Sequence, residues 1–227
     1  MLSITILFED DYLLIVDKPK NLLVHPSHYA RNIEGPTLID YLKEQIGVDV
    51  YPIHRLDYKT SGVLWLAKQK EVVVDCQNSL SQATKKYQAV VRGFVDGSGA
   101  IDSPVKPRDT KKHLEAKSTY RCLGQSVVDV SVGKYTSSRY SWVELEPLTG
   151  RTNQLRIHMA KINHPIVGDH RYGDRHHNKM FEEKLGLDRL WLHAFSLSFV
   201  HPKTKETLEV QTPFSDWELL SNLITFK

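Results

Sequence analysis

YPIHRLDYKTSGVLWLAK, residues 51–68, sets a polar loop directly against an apolar strand. GVLWLAK (62–68) is a short apolar run behind a turn, the pattern of a buried strand. Just before it, His54-Arg55-Leu56-Asp57 lead into the turn residues Thr60-Ser61-Gly62. Polar groups on a loop rooted in a rigid core strand are well placed for chemistry. The same pattern also fits a structural ion pair between Asp57 and Arg55 beside a capped turn. Taken alone, this segment leaves both readings open.

Working outward, ITILFEDDYLLIVDKP (4–19) gives two apolar runs joined by acidic turn residues, a strand pair. GPTLIDYLKEQIG (35–47) predicts a helix with Pro36 at its start, Leu38, Leu42 and Ile46 on one stripe, and Gly47 as its stop. EVVVDCQNSLSQ (71–82) predicts a helix and KKYQAVVRG (85–93) a strand. Between 115 and 147, VVDVSVG (127–133) and YSWVELEP (140–147) are the clearest strands. Thr152 opens a predicted helix with Leu155, His158, Met159 and Ile162 on one stripe, ended by His164-Pro165. LWLHAFSLSF (190–199) and TLEVQTP (207–213) read as a strand pair, and DWELLSNL (216–223) as a last helix. Strands outnumber helices and do not alternate regularly with them, which predicts α+β with a mainly antiparallel sheet.

The chain has 227 residues, 41% of them apolar and 25% charged, as in ordinary globular proteins. No stretch approaches the ~18 apolar residues of a membrane span. The N-terminus lacks the basic start and cleavage site of a signal peptide. Two cysteines, Cys76 and Cys122, are too few for a disulfide framework, so the expected compartment is the cytoplasm. With no internal repeat or long linker, residues 1–227 are read as a single domain.

The net charge of +3 is unevenly spread. Residues 134–179 hold eight bases against four acids, and Lys106, Arg108, Lys111 and Lys112 crowd into seven positions. Clustered bases suit a phosphate backbone, and they suit a solvated face as well. In LTGRTNQLRIHMAKINHPIVGD (148–169), Arg151 stands at a helix entrance and Arg156 one turn in. A guanidinium presents a planar fork to a carboxylate or phosphate. His25-x-x-His28 and His176-His177 lack a matching cysteine pair or HExxH context, so no metal is expected.

Together, HRLD followed by TSG and a strand, KKYQAVVRG, and GRTNQLRIHMA…HPIVGD resemble the RluA-type pseudouridine synthase family. ILFEDDYLLIVDKPKNLLVHP (6–26) and LDRLWLHAFSLSFVHPKT (187–204) fit too, so the resemblance spans nearly the whole chain. It implies a pseudouridine synthase fold with a central cleft and helices flanking a mainly antiparallel mixed sheet. It further implies Asp57 as the catalytic aspartate, Tyr87 in the cleft, Leu155 in the pocket wall, and Arg156 as the partner that keeps Asp57 charged. Arg55 would fill the space left by a flipped nucleotide. His54, Arg55, Leu155, Arg151, Lys106, Arg108, Lys111 and Lys112 form the expected substrate-binding set. Lys85, Lys86, Arg92, Arg171 and Arg175 extend its basic footprint. Asn153 stands where many members carry His, and is read as lying outside the chemistry.

The implied reaction detaches uracil from its ribose, turns it, and rejoins it through carbon. It transfers no electrons and needs no group donor, so no cofactor is expected. A carboxylate, ionised at neutral pH, is a suitable agent. The chain starts within a few residues of the resembled fold, so no separate S4-type RNA-binding domain is expected. GKYTSSRYSWVELEPLTGR (133–151) and GDHRYGDRHHNKMFEEKLGLDRLWLHA (168–194) resemble the bacterial tRNA pseudouridine-65 synthase subgroup, which favours tRNA as substrate. Ribosomal RNA, or both RNAs, is the alternative. An inactive RNA-binding module of the same fold and a carboxylate-dependent hydrolase are the competing classes. The enzyme is expected to act as a monomer.

Overall fold

The acidic pair Asp10-Asp11 closes the first hairpin because Asp10 Oδ1 accepts from the backbone N–H groups of Tyr12 and Leu13, at 2.7 and 2.6 Å. Strands β1 (Thr5–Glu9) and β2 (Leu13–Lys18) flank that turn, antiparallel. The computed structural model describes residues 2–26, 32–106, 112–214 and 216–227. Two compact units are formed, one from Met1–Lys85 with Ala194–Pro213, the other from Lys86–His193 with Phe214–Lys227.

In the first unit, β2 pairs with β4 (Ser61–Ala67), which also carries the short β3 (Tyr51–Pro52). β9 (Leu192–Val200) lies beside β4 from Ala194 on and pairs with β10 (Thr207–Gln211). The registered pairings are antiparallel, as the runs predicted. All seven residues of β4 are buried, which accounts for the continuous apolar run. Trp65 on β4 packs against Phe199 of β9 with ring centroids 4.0 Å apart and planes tilted by 33°, in a core with Leu13, Ile15, Val63 and Leu197. Gly62 is required here. Its φ is +112°, and a Cβ would lie 2.2 Å from the Ala194 carbonyl oxygen. Helix α1 (Leu38–Ile46) starts at Thr37, whose capping box with Asp40 satisfies free N–H groups, and stops at Gly47 with φ +76°. Pro36 therefore precedes the cap and is not in the helix. One 3₁₀ turn, Lys70–Val72, leads into α2 (Val73–Ser81).

In the second unit the strand order is β5 (Thr84–Arg92), β8 (Ser138–Pro147), β7 (Lys117–Val128), β6 (Ser98–Asp102), with antiparallel registers. Alternation along β5 sorts its side chains onto two faces. Ala89 and Val91 join Val143, Leu155 and Met159, whereas Val90 joins Tyr140, Phe181, Trp191 and Phe214. The first face is covered by α3 (Gln154–Lys161); α4 (Arg175–Leu185) and α5 (Trp217–Ser221) supply residues to the other cluster.

Three further details differ from the sequence reading. Within 127–133 only Val127 and Val128 are strand; the chain then turns, with Gly133 at φ +61° and a bridge from Val132 to Tyr135. Helix α3 begins at Gln154, not Thr152, because Asn153 adopts φ +57° and breaks the helical path before it. Helix α4 was not predicted, although Asp174 caps it through the N–H groups of His176 and His177, and Gly186 ends it at φ +68°.

Candidate active site

Asp57 lies half-buried in the loop between β3 and β4. Its carbonyl accepts from Thr60 N at 3.0 Å, so the loop closes as a turn at the entrance of the buried strand. His54 is fastened to the same strand, its Nε2 accepting the Trp65 N–H at 3.2 Å. Burial, helped by nearby Lys85 and opposed by a backbone bond at Arg55, pushes the His54 pKa down to about 4. A neutral ring with Nε2 as acceptor seats the loop. Arg55 is exposed.

Beside this loop stands a residue the sequence reading missed. Lys18, at the end of β2, is fully buried, with Nζ donating to the carbonyls of Pro19 at 2.7 Å and Tyr58 at 3.3 Å. Burial lowers its pKa to about 7 against the opposing pull of Asp57 and Asp17. A buried cation-capable group thus ties the β2 end to the residue after Asp57. Its only signal in the sequence was a lysine closing an apolar strand, a position that usually reads as solvent-facing.

In the second unit, Tyr87 on β5 and Leu155 on α3 belong to one apolar cluster, Leu155 buried and Tyr87 packed at its margin. Arg156 is 15% exposed at the side chain and meets Asp169, which is 1% exposed. Nε donates to Asp169 Oδ2 at 2.7 Å and Nη2 to Oδ1 at 2.8 Å, a two-pronged pair. Oδ1 also accepts from the N–H groups of Arg171 and Tyr172. Burial would raise the Asp169 pKa, but the Arg156 bonds and charge and those two N–H groups outweigh it and hold the carboxylate below its usual range. Nη1 of Arg156 donates to Asn153 Oδ1 at 2.6 Å. Asn153, read from sequence as lying outside the chemistry, thus has its amide oxygen on this guanidinium.

The 168–178 segment is built around Asp169. Gly168, at φ +76°, has no room for a Cβ, which would stand 1.7 Å from the Arg189 carbonyl oxygen. Asn178 accepts from Gly168 N at 2.7 Å and donates to Asp169 O at 2.9 Å. Asp174 caps α4 and pairs with Arg92. A pattern read from sequence as basic surface is in part a cradle for one carboxylate.

Helix α3 is anchored through buried polar groups. Gln154 donates to Lys117 O and Ser118 Oγ, and His158 bonds Ser118 Oγ at 3.0 Å and Ser103 O at 2.9 Å. Arg151 is exposed and donates from Nε to Glu115 O. Lys106, Lys112, Arg171 and Arg175 are exposed, and Lys85, Lys86 and Arg92 are half-buried. Arg108 and Lys111 lie outside the described residues, as does His28. Among the described residues no group of three His, Cys, Asp or Glu side chains could hold a metal ion. No described helix is long and apolar enough to cross a membrane.

Residues 12–161 match the family described as RNA pseudouridylate synthase. The chain is 42% identical over 221 residues to tRNA pseudouridine synthase C of Pasteurella multocida, covering 92% of this chain and 90% of the relative. It is 40% identical over 230 residues to the Haemophilus influenzae protein of the same name, covering 96% of each. Among solved structures, human RNA pseudouridylate synthase domain containing 4 superposes with a TM-score of 0.71 at 27% identity, over 96% of this chain and 92% of that one. Human RNA pseudouridylate synthase domain containing 1 gives 0.77 at 24% identity, over 99% and 89%, a likeness of fold.

Proposed function

This chain belongs to the RNA pseudouridylate synthase family and isomerises uridine in RNA to pseudouridine; we propose that its RNA is tRNA and its target uridine 65, the position that names the subgroup its sequence resembles. We further propose Asp57 as the catalytic carboxylate, with Tyr87 and Arg156 as catalytic partners. The tRNA reading is carried by relatives 40–42% identical across more than nine-tenths of the chain that bear a tRNA name.

The reaction breaks the bond from C1′ to N1 of uracil and forms one from C1′ to C5. C5 gives up its hydrogen and N1 gains one, so the atoms balance without an oxidant or a donor. Asp57, held in a turn at the head of β4, acts on the nucleotide once it is flipped from its stack, a step costing a few kcal/mol. Arg55, exposed two residues away, fills the vacated space. Tyr87 stacks on the uracil and Leu155 walls the pocket. Exposed Lys106, Lys112 and Arg151, together with Arg108 and Lys111, meet phosphates. Since Cys76 and Cys122 are both free thiols, a reducing cytoplasm suits the chain.

Loss of the C5 hydrogen supplies the test. A tRNA transcript carrying tritium at uridine C5 should release tritium to water with this enzyme, and replacing uridine 65 by cytidine should abolish release. Release that is indifferent to position 65, or confined to ribosomal RNA, contradicts the substrate assignment.

A further inference from the structure

Asn153 occupies the N-cap position of α3, where an asparagine ordinarily turns its oxygen onto the first free N–H groups of the helix. At φ +57°, ψ +20° it makes no such bond. Its oxygen accepts from Arg156 Nη1 at 2.6 Å instead. The helix entrance is held by other means: Gln154 Oε1 accepts from Arg151 N, and Gln154 N donates to Arg151 O. The asparagine thus serves a side chain where the helix would ordinarily claim it.

The guanidinium is gripped on several sides. Asp169 takes Nε and Nη2, Asn153 takes Nη1, and the Tyr172 ring lies 5.3 Å from the guanidinium carbon. A guanidinium is planar with five N–H directions, so these three bonds also fix where its other two N–H groups, one on Nη1 and one on Nη2, point. Asp169, itself fixed by the Arg171 and Tyr172 N–H groups, holds the Nε and Nη2 edge. Asn153 pins the opposite nitrogen.

We propose that Asn153 is a positioning residue that locks the Arg156 guanidinium in one orientation for the reaction. This rests on the catalytic role proposed for Arg156. Positive φ restricts which residues can put an oxygen here. Asparagine and aspartate tolerate that region best among residues with a side-chain oxygen, and glycine tolerates it without offering one.

Asn153→Gly and Asn153→Asp therefore separate the oxygen from the backbone. Tm, kcat and KM for tritium release, and the rotation of the Arg156 Nη groups by NMR of arginine-labelled chain without RNA, are the readouts. Asn153→Gly should keep its Tm and KM, speed rotation at Nη1, and lose about tenfold in kcat, the order expected of one charge-assisted hydrogen bond. Asn153→Asp should restore both rotation and kcat. A glycine variant with unchanged rotation and kcat overturns the proposal, as does a loss confined to Tm or KM, or an aspartate variant no better than glycine. If the unmodified chain released no tritium from any RNA, the functional reading would fail. The NMR comparison would still decide whether Asn153 holds the guanidinium.

Discussion

Arg156 gives two of its N–H groups to the two oxygens of Asp169, thirteen residues on in the chain, at 2.7 and 2.8 Å. The carboxylate is buried and has no bulk water to replace that partner. Removing the charge of one member strands the other, which commonly costs 3–5 kcal/mol. Asp169→Asn keeps one oxygen for the Arg171 and Tyr172 N–H groups but loses the second acceptor. Its unfolding free energy should fall by about 2–4 kcal/mol in urea, and its kcat at least tenfold at saturating RNA. A variant equal to the parent on both counts would show the pair to be incidental.

Arg156→Lys preserves charge but cannot form the two-pronged pair or reach Asn153 at the same time. A loss of about a hundredfold in kcat is expected, roughly two lost charge-assisted bonds. Steady-state tritium release measures it. Retention of most activity would mean that a point charge suffices at this position.

Lys18 makes a prediction about pH. Burial brings its pKa from 10.5 in the unfolded chain to about 7 in the folded one. Between those values the unfolded chain binds the extra proton, so the stability carried through this group is lowest below pH 7 and rises as pH climbs toward 10.5. The stability difference between the parent and Lys18→Met should shift in the parent's favour by about 2 kcal/mol from pH 7 to pH 9, at ~1.4 kcal/mol per pH unit. Urea titrations at the two pH values would reveal it. A flat difference would mean that Lys18 is not held in a desolvated site.

Gly168→Ala tests the cradle. A Cβ placed 1.7 Å from the Arg189 carbonyl oxygen, on a backbone at φ +76°, forces the turn apart. At least about 3 kcal/mol of stability should be lost. An alanine variant melting with the parent would refute the tight turn.

Much of this was legible in the sequence because periodicity reports burial. The hairpin at 5–18, the buried strand at 61–67 and the pair at 192–211 appear where apolar runs and turn residues put them. What escaped depends on contacts remote in sequence or on backbone angles. Nothing local marks Asp169 as the partner of Arg156; only the Gly168 turn brings it there. Asn153 looks like an ordinary helix cap until its positive φ is seen. Helix α4 was hidden because Arg175 read as part of a phosphate-binding footprint and His176-His177 as a rejected metal pair, while few of its residues, Met180 and Phe181 with Leu185 at the margin, face the core. Lys18 escaped because burial of a lysine is rare.

The most direct test of the account is Asp57→Asn, which keeps the side chain's size and removes its negative charge. With a tRNA transcript, the variant should bind RNA as the parent does while forming no pseudouridine detectable by carbodiimide-dependent reverse-transcription stops. Pseudouridine formed at the parent's rate would contradict the role given to Asp57.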